Sequence, residues 1–215
     1  MKSNLFIVFV FSSFFLSSQD KDFQSWNNIE FRYEIIDNMK LSVDNGVRFT
    51  ENYSVMSKYF FDISVKRKHN KTFSYSIGYR YLLCREINPL DLEQKNRFYL
   101  DGYFKKGVFN RIEYSLRTRF QTQSDNEFSS SKELINKLRQ RLKLTYDIDK
   151  NDMDLVFSIE SFYVFGDVVE KIRYQIGCVK PITKKTNLNI NYMIQQELGD
   201  ADLFFVIRAK LSHDF

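Results

Sequence analysis

Residues 203–215 read Leu-Phe-Phe-Val-Ile-Arg-Ala-Lys-Leu-Ser-His-Asp-Phe, and the alternation in this stretch decides the fold. Counting back from Phe215, one set is Phe215, His213, Leu211, Ala209, Ile207, Phe205 and Leu203. The intervening set is Asp214, Ser212, Lys210, Arg208, Val206 and Phe204. Successive side chains of a strand point to opposite faces of a sheet, so this is a period-two strand with one apolar and one largely polar face.

The same alternation recurs along the chain. Ile29, Phe31, Tyr33 and Ile35 alternate with Asn28, Glu30, Arg32 and Glu34, and Met39, Leu41, Val43, Val47 and Phe49 with Lys40, Ser42, Asp44 and Arg48. Tyr59, Phe61, Ile63 and Val65 face away from Asp62, Ser64 and Lys66, and Phe73, Tyr75, Ile77, Tyr79 and Tyr81 from Ser74, Ser76, Gly78 and Arg80. Further strands are expected near 96–105, 109–121, 137–146, 153–163, 169–180 and 187–197. Their lengths approach the roughly 9–11 residues with which a tilted strand crosses a bilayer, whereas strands of soluble sheets mostly hold about five or six. Closing such a sheet puts the polar face inside, the aromatic face in lipid, and leaves no open edge. The expected fold is all-β: a transmembrane antiparallel β-barrel of 10–12 strands in a single domain. Eleven strands are countable. Twelve is favoured, because an export signal would leave the N-terminus in the periplasm and residues 19–26 could then climb as an extra strand.

Composition agrees. The 215 residues include 22 Phe and 13 Tyr but only two Ala, Ala201 and Ala209, which favours strand over helix. A mean hydropathy of −0.40 excludes a bundle of membrane helices. At the N-terminus, Lys2 followed by apolar Leu5 to Leu16 reads as a cleavable secretory signal over residues 1–18, leaving 19–215 as the barrel. The expected location is the bacterial outer membrane. Phe215, ending an amphipathic strand, is then the expected assembly signal for the barrel-assembly machinery, and outer-membrane lipid the expected surroundings. The net charge of +5 has no clustered basic run, so no nucleic-acid partner is expected.

Several segments in order resemble a known family: Trp26 with Glu30-Phe31, Gly46-Val47-Arg48-Phe49, Gly78-Tyr79-Arg80-Tyr81, Arg97-Phe98-Tyr99-Leu100-Asp101 and Arg117-Thr118-Arg119-Phe120-Gln121. Leu138-Arg139-Gln140-Arg141-Leu142, Glu160 with Phe162, Arg173-Tyr174-Gln175-Ile176-Gly177, and Tyr192 with Gln195 and Glu197 continue the series. Together they resemble the domain-of-unknown-function 2490 family. The resemblance implies a Gram-negative outer-membrane barrel and supplies no catalytic residues.

The chemistry available to a lumen is mostly charge. Strands five to seven offer a basic wall of Arg97, Arg111, Arg117, Arg119, Arg139 and Arg141, with Glu30, Glu34, Asp44, Glu160 and Glu197 as acidic partners. The charges are expected to pair across a narrow lumen, since an unpaired buried charge is too costly to keep. That favours a closed or narrow barrel acting as envelope scaffold or surface-interaction protein. The alternative is a narrow porin-like channel for small polar or anionic solutes, since basic rings select anions. His69 and His213 are placed where neither serves as a base in an outward cleft, so no enzyme is expected. No metal and no cofactor are expected, because Cys84, Cys178 and the two His have no ligand spacing. Residues 121–136 are the expected loop for outside contacts.

Overall fold

The computed structural model describes residues 22–85, 92–109, 111–125, 134–148, 153–166, 169–199 and 202–215. The expected signal at 1–18 and the centre of the 121–136 loop lie outside these residues. Eleven strands are present: β1 (Asp22–Ile36), β2 (Met39–Thr50), β3 (Val55–Lys68), β4 (Phe73–Arg85), β5 (Leu92–Phe109) and β6 (Ile112–Asp125). They continue as β7 (Leu134–Ile148), β8 (Met153–Val164), β9 (Val169–Thr183), β10 (Thr186–Glu197) and β11 (Leu203–Asp214).

Each strand pairs antiparallel with its neighbour in sequence, and β1 closes the ring by pairing parallel with β11, from Asp22↔Phe204 to Arg32↔Asp214. The barrel therefore has eleven strands and not the favoured twelve. Antiparallel directions alternate, so an odd ring must contain one parallel pair. Residues 22–26, expected as part of an extra climbing strand, instead open β1 itself and run in the direction of β11. At the far end of this seam the Phe215 amide donates to the Arg32 carbonyl at 2.9 Å.

Two rims result. The turn rim is marked by the connections at 37–38, 69–72 and 184–185, and the loop rim by 51–54 and by the ends of β4, β6, β8 and β10. Two strands overrun their expected ends. β5 continues through 106–108, which were expected as a turn, and β6 and β7 take up both ends of the expected 121–136 loop. The tight connection after β1 is possible because Asn38 accepts a left-handed backbone, φ 66°.

The alternation places apolar residues outside: Tyr33, Ile77, Phe98, Leu100 and Ile159 are all more than half exposed. Aromatic contacts gather towards the rims. Phe73, Phe104 and Tyr114 contact in series at the turn rim (5.1 and 5.7 Å between centroids), as do Phe120, Phe165 and Tyr163 at the loop rim (5.8 and 5.7 Å). An apolar band with aromatic girdles suits lipid and not water.

Candidate functional site

The lumen holds a cavity of about 730 Å³, reaching from Gln24, Thr50, Lys95 and Lys137 near the loop rim to Glu30, Asp44, Tyr103 and Arg141 at mid-barrel. Its lining contains fifteen Lys or Arg side chains against seven Asp or Glu.

The acids are engaged locally. Asp101, 1% exposed, accepts both forks of Arg119 at 2.7 Å and the Tyr103 hydroxyl at 2.8 Å. Asp62 accepts from Arg80 and from the Tyr99 hydroxyl, each at 2.7 Å. Glu160 binds Arg117 and, at 2.9 Å, Arg139, with Arg173 at 3.8 Å. Lys210 reaches Glu30 (3.1 Å) and Asp44 (3.3 Å). Lys171 pairs with Glu197 at 3.0 Å and Lys137 with Glu170 at 2.7 Å.

Register explains the arrangement. Arg117 lies directly opposite Arg141, and Arg119 opposite Arg139, across the β6–β7 pair. Like charges in such positions repel, and acids on the flanking strands, Asp101 on β5 and Glu160 on β8, offset that repulsion. The expected pairing across the lumen is therefore replaced by pairing among near strands: Glu30 and Asp44 answer Lys210 of β11 and not the basic wall.

Between the ion pairs runs a belt of alternating guanidinium groups and rings. Arg80 stands 4.2 Å and Arg48 5.8 Å from the Phe60 ring centroid; Arg48 (3.8 Å) and Arg173 (5.0 Å) share Trp26; Arg173 and Arg139 share Phe162, each at 4.4 Å. Arg119 lies 3.6 Å from Tyr99, and Tyr99 bonds the Asp62 that holds Arg80, which brings the belt back to its start. Each such contact is worth about 0.5–2 kcal/mol. These contacts also restrain the arginine side chains against the wall.

Of the expected basic wall, Arg97, Arg117, Arg119, Arg139 and Arg141 line the cavity. Arg111 does not: β5 runs on to Phe109, so Arg111 falls in the β5–β6 turn and is exposed. Of the acids, Glu30, Asp44, Glu160 and Glu197 line the cavity, but Glu34 sits exposed at the turn end of β1. His69 lies exposed in the β3–β4 turn, and His213 Nδ1 is 2.9 Å from the Thr186 hydroxyl. Cys84 and Cys178 are both free thiols. The sequence reading missed the lumen aromatics Trp26, Phe60, Tyr99 and Phe162. Their parity was the available signal, since each lies an even number of residues from a lumen charge on its own strand: Glu30, Asp62, Asp101 and Glu160.

Residues 23–202 match the family described as "Protein of unknown function (DUF2490)". The chain belongs to this family. Among solved structures, it resembles one titled "NanC porin structure in rhombohedral crystal form", with a TM-score of 0.52 at 10% identity, covering 85% of this chain and 90% of that one. A structure titled "Anion-selective porin from Comamonas acidovorans" matches with a TM-score of 0.41 at 11% identity, over 83% of this chain and 53% of that one. No curated protein matches.

Proposed function

We propose that this family member is an outer-membrane barrel whose lumen admits small anionic solutes from the loop rim. One observation carries the reading. The cavity lining holds fifteen basic against seven acidic side chains, a surplus of eight, although the whole chain carries only +5. Positive charge is thus gathered inside the barrel and depleted elsewhere. A cavity lined by one sign of charge between low-dielectric walls concentrates counter-ions, and basic linings select anions. The apolar exterior with its aromatic rims supports the outer membrane as the location, and Phe215, stitched to β1, is read as the residue offered to the barrel-assembly machinery.

A closed scaffold is the second reading. It is favoured by the buried mid-lumen, where Asp101 is 1% and Asn191 2% exposed. Conductance of the refolded barrel in a planar bilayer separates the two. Discrete steps with a reversal potential favouring anions are expected. A folded, heat-modifiable but silent barrel would sink the passage and leave the scaffold.

A further inference from the structure

Among the described residues, Arg48, Lys58 and Arg97 in the loop half of the lumen have no acid to answer them. Arg48 on β2 lies directly opposite Lys58 on β3, Lys58 opposite Cys84 on β4, and Arg97 on β5 opposite Arg80. All line the cavity. The β2–β3 register slips beside this pair, where Ser57 is the extra residue on β3; bulges of this kind re-aim side chains and gather beside functional sites.

The Arg48 guanidinium rests on Trp26 at 3.8 Å, and its buried Nε has no hydrogen-bond partner. Among the described residues Lys58 makes no ion pair, and Arg97 reaches only the neutral Gln123 Oε1, at 2.6 and 3.1 Å. The charges acting most strongly on Arg48 are Arg173, Arg80, Arg97 and Arg208. For Lys58 they are Arg48, Arg97 and Lys95 besides the Cys84 thiol, and for Arg97 they are Arg80, Arg119 and Arg173 besides the same thiol. Among the described residues no carboxylate stands with them. Glu93, the acid directly opposite Cys84, is held by Lys95 at 2.6 Å.

Like charges gathered in a partly enclosed cavity repel one another and leave donors unanswered. An anion with several acceptor oxygens relieves both at once. We propose that Arg48, Lys58 and Arg97 form a binding site for a multivalent oxyanion of the phosphate class, carried by a small solute that enters from the loop rim. Arg48 offers a fork fixed by Trp26, Arg97 a fork fixed by Gln123, and Lys58 a mobile point charge. A planar carboxylate occupies one fork, whereas a tetrahedral dianion is shared by all three donors. This inference rests on the lumen attracting anions, as proposed above, but not on their passing through.

Cys84 stands inside the site and reports on it. With Cys178→Ser, Cys84 is the one thiol left in the refolded chain. Its rate of modification is measured with two methanethiosulfonates of similar size, one bearing a sulfonate and one a trimethylammonium group. The sulfonate is expected to react faster by on the order of tenfold or more, as electrostatic focusing predicts. Inorganic phosphate is expected to slow it at an ionic strength where chloride does not. Arg48→Gln and Lys58→Gln should each weaken the preference and remove the phosphate protection, while Lys58→Arg retains both. Equal rates for the two reagents, phosphate protection no greater than that of chloride, or a Cys84 unreactive to both in the folded barrel would each overturn the site. A silent barrel in which phosphate still protects Cys84 keeps the site and removes the passage. Conduction without protection does the reverse.

Discussion

The Phe60 ring lies over Gly46, its directly opposed partner on β2, so closely that a β-carbon on the glycine would stand 2.3 Å from the ring. Tyr99 covers Gly78 in the same way, again at 2.3 Å. Both rings belong to the belt, and both are folded against the wall because the opposite residue has no side chain.

Gly78→Ala is therefore expected to push Tyr99 off its seat, breaking its bond to Asp62 and its contact with Arg119. Overpacking of this kind costs about 1–3 kcal/mol. The denaturant midpoint of the refolded barrel should fall, whereas Gly102→Ala, where a β-carbon meets nothing within 4 Å, should leave it unchanged. Equal midpoints for the two variants would contradict the seating.

Glu160 is the shared acid of Arg117, Arg139 and Arg173, and only 8% exposed. Glu160→Gln leaves one buried and two partly buried cations without their carboxylate, and removing one partner of a buried pair costs about 3–5 kcal/mol. Arg117→Gln should cost less, because Glu160 keeps Arg139 at 2.9 Å. Urea unfolding of both variants, followed by the loss of heat-modifiable migration, checks the order.

Arg141 and Arg208 line the cavity and make no hydrogen bond or ion pair among the described residues. In a lumen that passes anions as proposed, substituting both by Glu is expected to shift the reversal potential towards cations while the barrel still folds. The paired Arg117 and Arg119 are poorer probes of selectivity, since changing them also removes partners from Glu160 and Asp101. A reversal potential unmoved in the Arg141/Arg208 double variant would place the selective region elsewhere.

The parallel seam is testable by cross-linking. Asn27 and Ala209 are direct partners across β1 and β11. As cysteines, in a chain with Cys84 and Cys178 replaced by Ser, they should oxidise to a disulfide seen as altered migration. An additional strand inserted between them would separate the two by about 10 Å, beyond the reach of a disulfide.

The exterior was legible in the sequence because lipid demands one uniform answer at every second residue, so Ile29, Phe61, Ile77 and Ile207 declare their face individually. The lumen makes no such demand. It accepts Arg139 beside Phe162 and Val206 beside Arg208, so its charges could be placed on the correct face but not matched with partners. Partners depend on shear: Arg117 reaches Glu160 two strands away, and Arg119 reaches Asp101 on the strand before it. Closure depends on a single pairing, β1 with β11, between residues 182 apart in sequence at Glu30 and Ser212, and no local pattern encodes it. Arg111 and Glu34 were misplaced for a simpler reason: each keeps the lumen parity but lies at a strand end, where the wall has stopped.

The same seam gives the cylinder a direction. In a barrel of even strand number the chain enters and leaves the wall at one rim. Here β1 sets out from the rim that carries the longer connections, and β11 finishes at the other. An epitope grafted at Asp22 and one grafted beyond Phe215 would stand on opposite surfaces of the bilayer. One pair of tags thus reads the orientation of the whole cylinder in the membrane.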